Sequence, residues 1–378
     1  MSGTPEASHA QTDQPIPRAI VLVGPLPPPA GGMANQTQQL AALLRREGCD
    51  VTVVRNNADY RPRWIARYRG VRALFRLLPF VTQVWRAAAK ADLAHVMANS
   101  GWAWHLFAAP AIWTCVLRGV PVVVNYRGGD AERFLRREIR LVRPTAARAA
   151  SIIVPSGFLG EVFSRFGLPT TIVPNIVDLG LFRPADELPR TPHLVVTRNL
   201  EAIYDIATAI RAFARFRDAF PEAVMTIAGE GPERQLLEAL AVELRVADAT
   251  KFIGRRANAE LPALYRSASA LVNPSRVDNM PVSVLEALAS GVPVVSTDVG
   301  GVPYLVAHER DALLVPPGNS EAMAAALLRL HREPGLADRL LAAGFENAKR
   351  YAWPRVRPFL FAAYAAASGT QPRLATTP

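Results

Sequence analysis

Two carboxylates eight residues apart, Asp278 and Glu286, mark the segment of this sequence with the clearest potential for chemistry. Asp278 lies in a loop, and Glu286 lies in a helical segment, VSVLEALAS, that starts after Pro281. The free amides at the start of such a helix, together with Ser283, suit a diphosphate group. A carboxylate one turn further along can accept two hydrogen bonds from a ribose diol. The alternative is that the acidic side chain only complements the helix dipole.

Arginine and glycine residues at three other places can also bind anions. Arg198 ends the apolar run LVVTR, where a guanidinium can hold a departing diphosphate or form a surface ion pair. Gly31 and Gly32 stand between a predicted strand and a predicted helix, so their amides either face an anion or form a simple turn. Gly231, in AGEGPERQ, either lets the backbone approach a ligand or only permits the turn.

Two series of short, β-branched apolar runs must position these residues. Such runs, alternating with helical segments, indicate strands of a parallel sheet that is covered by helices on both faces. The first series comprises 19–24, 51–55, 92–98, 120–126, 151–155 and 170–174, and the second comprises 194–198, 223–229, 250–254, 270–275 and 292–298. A proline-bearing segment, 181–192, separates them. We therefore predict an α/β protein with two doubly wound domains, whose ligand lies beyond the carboxyl ends of the strands.

The composition narrows the class of protein further. The chain has 378 residues, of which 50% are hydrophobic and 20% charged, which excludes disordered, collagen-like and small disulfide-rich proteins. Cys49 and Cys115 are too few for a disulfide framework and too far apart for a metal knuckle, so we expect a reducing, cytoplasmic setting. The first 17 residues lack the pattern of a secretion signal. The apolar stretch 101–117 is shorter than the roughly 20 residues of a bilayer span and predicts a buried helix.

Positive charge is concentrated in the first half of the chain. The net charge is +11, and residues 1–190 hold 23 Arg and Lys against 13 Asp and Glu. Residues 61–90 place apolar residues at helical spacing with arginines between them, which predicts a basic amphipathic helix that is broken at Pro79. This helix either lies in an anionic membrane interface or packs its apolar face on the sheet. Its membrane-binding candidates are Trp64, Arg67, Arg69, Arg72 and Arg76.

Motifs of several other functional classes are absent from the sequence. It contains no G-x-x-x-x-G-K-[ST], no G-x-S-x-G, no H-E-x-x-H and no D-x-D pair for a metal-bound diphosphate. It also lacks a basic and aromatic module of the kind that binds nucleic acid, so we expect no nucleic-acid partner. The 6 histidines are scattered, and we predict no metal site.

The second half of the chain resembles the nucleotide-sugar-dependent glycosyltransferases of family 4 (group 1). VNPSRVDNMPVSVLEALASGVPVVSTDVGGVPYLV (272–306) and DALLVPPGN (311–319) are similar to the family's E-x7-E segment and its trailing glycines. IVPSGFLGEVF, IVPNIVDLGLFRP, GEGPERQLLEAL, FIGR and ELPALYRSASALVNPS extend the resemblance over most of the chain. It implies the GT-B architecture, in which two Rossmann-like domains face each other across a deep cleft.

The resemblance also implies where the domains begin and end. We expect a tail at 1–17, an acceptor-side domain at 18–182 and a donor-binding domain at 183–352. A helix at 353–366 is expected to cross back to the first domain, before a second tail at 367–378.

Residue roles follow from the matched positions. Glu286 matches the glutamate that binds the donor's ribose, Asp278 matches a carboxylate near the transferred sugar, and Arg198 matches the arginine on the diphosphate. The catalytic candidates are Asp278, Arg198 and Arg127. The donor-binding candidates are Glu286, Asn279, Met280, Pro281, Gly31, Gly32, Gly231, Tyr204, Ile253, Gly254, Val284 and Leu285.

Three positions depart from the family pattern. Asp278 is one methylene shorter than the usual glutamate, and Tyr204 stands where a lysine is usual, so the diphosphate loses one cation. Arg127 stands where many members have a histidine.

The resemblance implies a retaining, metal-independent glycosyltransferase that needs no cofactor and uses a UDP- or GDP-sugar as its substrate. The basic first half favours a lipid-linked glycan of exopolysaccharide or cell-surface polysaccharide assembly as the acceptor, and a cytoplasmic location, peripheral on the inner membrane face. One alternative is a sugar-nucleotide 2-epimerase on the same fold, with Asp130, Glu132 and His105 as acid and base candidates. The other is a non-catalytic sugar-nucleotide-binding partner, which the changes at Tyr204 and Arg127 favour.

Overall fold

Two parallel six-stranded sheets form the framework of the protein in a computed structural model that describes residues 17–28, 31–57, 71–185, 189 and 191–369. The first sheet has the order β2-β1-β3-β4-β5-β6 and consists of β1 (Ala19–Gly24), β2 (Asp50–Arg55), β3 (Leu93–Ala98), β4 (Val122–Tyr126), β5 (Ser151–Val154) and β6 (Thr171–Ile172). The second has the order β12-β11-β10-β7-β8-β9 and consists of β7 (His193–Val196), β8 (Val224–Ile227), β9 (Thr250–Phe252), β10 (Ala270–Asn273), β11 (Val294–Thr297) and β12 (Leu313–Val315). The predicted pair of doubly wound α/β domains is confirmed.

Helices cover both faces of the first sheet, which explains its unbroken apolar strands. One layer consists of α2 (Val71–Ala88), a π-helical turn (Trp104–Ala108) that leads into α3 (Ala109–Leu117), α4 (Ala131–Ala146) and α5 (Gly157–Arg165). On the opposite face lies α1 (Gly32–Arg46). Because successive strand residues point to opposite faces, Val122 and Val124 pack under the first layer while Val123 packs under the second.

The second domain repeats this arrangement with a different set of helices. One face is covered by α6 (Ile206–Ala219), α7 (Arg234–Glu243), α11 (Ser320–Arg332) and part of α12 (Leu336–Lys349). The other face packs against α8 (Leu261–Arg266), α9 (Val282–Ala289) and α10 (Val302–Leu305). The edge strand β12, three residues long and paired with β11, was not among the predicted strands.

The last helix, α13 (Trp353–Ala367), packs on the sheet of the first domain. Its buried residues Leu360 and Tyr364 join the apolar cluster of α1, β1 and β3. Polar contacts add to this packing: the Trp353 indole Nε1 donates to Glu47 at 2.7 Å, and the hydroxyl of Tyr364 lies 2.8 Å from Nδ1 of His95.

Two predicted helices need correction. The expected break at Pro79 is wrong, because α2 runs through this residue from Val71 to Ala88. A proline inside a helix costs about 3 kcal/mol, and here the burial of Phe80, Val84 and Ala88 against the sheet offsets that cost. The helix predicted within 101–117 is present, but it is not fully buried, since Trp113 and Leu117 on α3 are exposed. Among the residues that the structure describes, we find no helix with the length and hydropathy of a membrane span.

Replacing Leu360 with alanine should destabilise the protein by roughly 2–5 kcal/mol, because a fully buried side chain is lost from the contact between α13 and the first sheet. The neighbouring Phe359→Ala is the matched control. The ring of Phe359 is 55% exposed, so its loss should cost less than about 1 kcal/mol. Equal losses in urea denaturation would contradict the described packing of α13.

Candidate functional site

The carboxyl ends of both sheets open into one cleft of about 640 Å³. The first domain supplies Gly31, Gly32 and Arg127 among other residues of the lining, and the second domain supplies more than half of it. Charged side chains are concentrated there, although the surrounding strands are apolar. The charged residues that line the cleft are Arg127, Arg198, Arg255, Arg256, Asp278 and Glu286.

Arg198 and Asp278 form an ion pair in the second domain, and both side chains are about nine-tenths buried. Arg198 follows β7, and its Nε donates to Oδ1 of Asn273 at the end of β10, at 2.9 Å. The ring of Tyr204 lies 5.0 Å from its guanidinium carbon, in cation–π contact. Burial lowers the pKa of Arg198, and the surrounding tyrosines and Glu286 oppose that shift. The guanidinium is therefore held in one place by three neighbours.

Glu286 lies in the second turn of α9, with its carboxylate buried against the cleft. Burial raises the pKa of Glu286 to about 7, although a hydrogen bond from Tyr265 and the charge of Arg198 favour the ionised form. The hydroxyl of Tyr265 donates to Oε2 of Glu286 at 2.9 Å and lies 2.8 Å from Oγ1 of Thr197. One carboxylate oxygen thus has a fixed protein donor.

Polar atoms beside Glu286 are buried without a partner among the described residues. These are Oγ of Ser283, in the first turn of α9, and Oδ1 of Asn279, in the loop before it. Pro281 caps the helix and offers no side-chain hydrogen bond to the first amides. Buried polar groups normally have hydrogen-bond partners. A ligand that offers hydrogen-bond donors and acceptors therefore suits this edge of the cleft.

On the opposite wall, Arg127 follows β4 and is held by amide side chains. Its Nε donates to Oδ1 of Asn125 at 3.1 Å, and its Nη1 contacts Gln36 and Asn175. Burial lowers the pKa of Arg127 to about 10, which leaves it charged at neutral pH. Asn175 also donates to the carbonyl of Met280 at 2.7 Å, so Arg127 is tied to the second domain.

The structure brings most of the predicted site residues together and separates some from the cleft. Those that line it are Gly31, Gly32, Arg127, Arg198, Tyr204, Asp278, Asn279, Met280, Pro281 and Glu286, whereas Gly231, Ile253, Gly254, Val284 and Leu285 do not. The side chains of Val284 and Leu285 cannot contact a donor in the cleft as predicted, because both are fully buried in the core. Gly231 has a packing role instead, since a Cβ there would collide with the backbone of Leu200.

Sequence reasoning missed two arginines and one tyrosine of the site. Arg255 and Arg256 follow β9 and line the cleft, where they provide cations that the tyrosine at position 204 does not. Both arginines follow a predicted strand, and ligands bind beyond the carboxyl ends of such strands, so this position could have identified them. Tyr265, which fixes Glu286, precedes it by 21 residues on another helix, and nothing in the sequence pattern couples the two.

The acid and base candidates of the epimerase alternative do not meet in the cleft. Oε1 of Glu132 accepts from Arg136 at 2.9 Å, and His105 is hydrogen-bonded to Glu138. Asp130 lies 4.0 Å from Arg133. None of the three lines the cleft. Within the described ranges, no group of three or more His, Cys, Asp or Glu residues is placed to hold a metal ion.

The membrane-binding candidates fall largely beyond what the structure describes. Trp64, Arg67 and Arg69 lie outside the described residues, and so does the side chain of Arg72. Arg76 is half-buried: its Nη2 donates to the carbonyl of Asn56 at 2.8 Å, and its guanidinium carbon lies 5.0 Å from the ring of Phe107. These internal contacts do not fit the predicted role of Arg76 at lipid headgroups.

Two family models match the chain, one in each domain. The model described as Glycosyl transferases group 1 matches residues 185–347, and the model described as Glycosyltransferase Family 4 matches residues 30–181.

Two curated relatives match most of the chain. The glycogen synthase of Mycobacterium tuberculosis is 30% identical over 288 residues, which cover 71% of this chain and 70% of the relative. A phosphatidyl-myo-inositol mannosyltransferase of Mycobacterium leprae is 24% identical over 371 residues, which cover 92% of this chain and 96% of the relative.

Solved structures share the fold at lower identity. Sucrose-phosphate synthase from Thermosynechococcus elongatus superimposes with a TM-score of 0.78 at 20% identity, over 94% of this chain and 100% of that one. Anabaena HepE, in complex with UDP and glucose, superimposes with a TM-score of 0.73 at 19% identity, also over 94% and 100%. The expected GT-B architecture is confirmed.

The burial of Glu286 should make the stability of the free protein depend on pH. Because the folded pKa of about 7 lies above the ordinary 4.5, the folded state loses stability as pH rises through this interval, by about 3 kcal/mol at most. Glu286→Gln cannot ionise, so its free energy of unfolding relative to wild type should increase from pH 5 to pH 8 by about 1–3 kcal/mol. Urea denaturation at both pH values measures this difference. The exposed Glu243→Gln is the matched control, and an equal increase there would contradict the assignment.

Proposed function

We propose that this chain, which belongs to the group 1 glycosyltransferases and carries a family 4 glycosyltransferase domain, transfers a sugar from a nucleotide-sugar donor to an acceptor hydroxyl with retention of configuration. The observation that carries the proposal is the convergence of the Arg198–Asp278 ion pair, Glu286 and the start of α9 on one wall of the cleft. Each of these groups suits a different part of such a donor.

The second domain offers contacts for the ribose and the diphosphate of the donor. Glu286 keeps one carboxylate oxygen for the ribose hydroxyls while Tyr265 occupies the other. The first turn of α9, with the unpartnered Oγ of Ser283, suits the diphosphate. Arg198, Arg255 and Arg256 supply the positive charge that offsets it. The complex of HepE with UDP and glucose supports a UDP-sugar as the donor class.

Retention requires the acceptor to attack from the face that the diphosphate leaves. In the proposed step the bond between the anomeric carbon and the diphosphate oxygen breaks, and the acceptor oxygen bonds to the same face of an oxocarbenium-like sugar. The acceptor proton passes to the departing phosphate oxygen. Arg198 stabilises the negative charge that develops on the diphosphate, and Arg127 faces the reacting groups from the first domain. The arginines carry the charge compensation, so we propose that no divalent metal takes part.

We propose a lipid-linked glycan of exopolysaccharide or cell-surface polysaccharide assembly as the acceptor. The basic first half of the chain supports a cytoplasmic enzyme that works at the inner membrane face. The name of the mycobacterial relative, a phosphatidyl-myo-inositol mannosyltransferase, supports an acceptor attached to lipid.

A non-catalytic sugar-nucleotide-binding partner is the second candidate, since Tyr204 replaces a cation of the site. Arg255 and Arg256 weigh against it, because they line the same cleft and restore positive charge.

A transfer assay with UDP-, GDP- and ADP-sugars and a panel of free and lipid-linked glycans tests the proposal. We expect one donor class to be consumed, and NMR of the product should show the anomeric configuration of the donor.

Arg198→Gln should lower kcat/KM by roughly 10²–10³, because an electrostatic stabiliser of the leaving group is lost. Arg211→Gln, on the exposed face of α6, is the matched control and should leave it unchanged. A product of inverted configuration would refute retention, and binding without turnover on the whole panel would favour the non-catalytic partner.

A further inference from the structure

Large apolar side chains are exposed on three neighbouring helices of the first domain. They belong to the helical layer of α2, α3 and α4, on the side that faces away from the sheet. Their exposed fractions are 59% for Leu78, 43% for Trp85, 36% for Trp113, 72% for Leu117 and 67% for Leu141. Such side chains are ordinary when single, but a contiguous set marks an interaction site.

Contacts between the helices link the two tryptophans to neighbouring helices. The guanidinium carbon of Arg118, which follows α3, lies 4.8 Å from the centre of the Trp85 ring on α2. The indole Nε1 of Trp113 on α3 donates to Oγ1 of Thr145 on α4 at 3.0 Å. Arg148, just after α4, lies 5.1 Å over the same indole. We define the α2–α4 surface as the exposed side chains of Leu78, Trp85, Trp113, Leu117 and Leu141 together with Arg118 and Arg148.

Leu117 and Leu141 extend the α2–α4 surface on either side of Trp113. Leu117 lies one helical turn after Trp113 on α3, and Leu141 lies one turn before Thr145 on α4. Residues four apart on a helix share a face, so both leucines flank the indole.

Basic side chains outnumber acidic ones around the α2–α4 surface. Four acidic residues lie within or directly beside the helices α2, α3 and α4: Asp92 and Asp130 are exposed, while Glu132 and Glu138 are partly buried. Asp130 and Glu132 pair with Arg133 and Arg136, and Glu138 pairs with His105. The exposed basic residues there are Arg86, Lys90, Arg118, Arg133, Arg136, Arg137, Arg140, Arg143 and Arg148. The partner that complements this surface must offer negative charge together with an apolar phase.

We propose that the α2–α4 surface docks the protein on an anionic phospholipid bilayer. Indoles favour the membrane–water interface because one edge is polar and the rest apolar. Each indole already carries an arginine on its face, and that arginine can reach lipid phosphates while the ring enters the acyl boundary. The inference rests on the proposed membrane location of the enzyme. It places the contact on the α2–α4 surface instead of on Trp64, Arg67, Arg69, Arg72 and Arg76.

Cosedimentation with vesicles tests the docking surface without donor or acceptor. We expect wild type to bind vesicles that contain phosphatidylglycerol and not vesicles of phosphatidylcholine alone, with binding that weakens as salt is added. Leu117→Gln with Leu141→Gln should weaken binding about tenfold, because two apolar side chains no longer enter the acyl boundary. Arg118→Gln with Arg148→Gln should weaken it by a similar factor of about ten at low salt.

The matched control is Leu236→Gln with Val242→Gln on α7, where the side chains are 71% and 66% exposed. These changes should leave vesicle binding intact. Thermal unfolding of each variant, with and without a nucleotide sugar, separates loss of docking from loss of fold or of the donor site. The proposal is overturned if wild type binds no anionic vesicle, if it binds neutral vesicles equally well, or if the α2–α4 variants bind like the control.

Discussion

The buried ion pair between Arg198 and Asp278 is the interaction on which the cleft depends. Its side chains are 12% and 9% exposed, and a charge buried to this degree is tolerated only beside its partner. Removal of one partner from such a pair costs about 3–5 kcal/mol. The pair joins the loop after β7 to the loop after β10, two neighbouring strands of the second sheet. It therefore fixes the shape of the loop that precedes α9.

The same loop connects the two domains. Asn279 donates from Nδ2 to the carbonyl of Gly128 at 2.5 Å, and the carbonyl of Met280 accepts from Asn175 at 2.7 Å. Asn175 in turn contacts Arg127, so the loop that contains Asp278 is linked to the cation of the opposite wall. Gly301 must be a glycine, because a Cβ there would collide with the backbone of Asn279. The relative position of Arg127 and Arg198 is thus set by short polar contacts as well as by the two cores.

The strands and the loops of the cleft could be predicted from the sequence, whereas contacts between residues distant in the chain could not. Strands buried on both faces are unbroken apolar runs, and their carboxyl ends identify the loops of Gly31, Arg127, Arg198 and Asp278. The short strand β6 was predicted because TTIVP is rich in β-branched residues. The strand β12 was not predicted within DALLVPPGN. Partners distant in the chain, such as Tyr265 and Glu286, meet only through tertiary packing. Helix periodicity alone did not show that Val284 and Leu285 face the core.

Calorimetric titration of UDP, GDP and ADP into wild type and Glu286→Ala tests most directly whether the cleft is a nucleotide-sugar site. The account predicts that one of the three nucleotides binds wild type, and that its affinity falls by at least about tenfold when the carboxylate that receives the ribose is removed. The matched Glu243→Ala, on the exposed end of α7, should bind like wild type. Equal binding to wild type and Glu286→Ala, or no binding of any nucleotide to wild type, would contradict the assignment of this cleft.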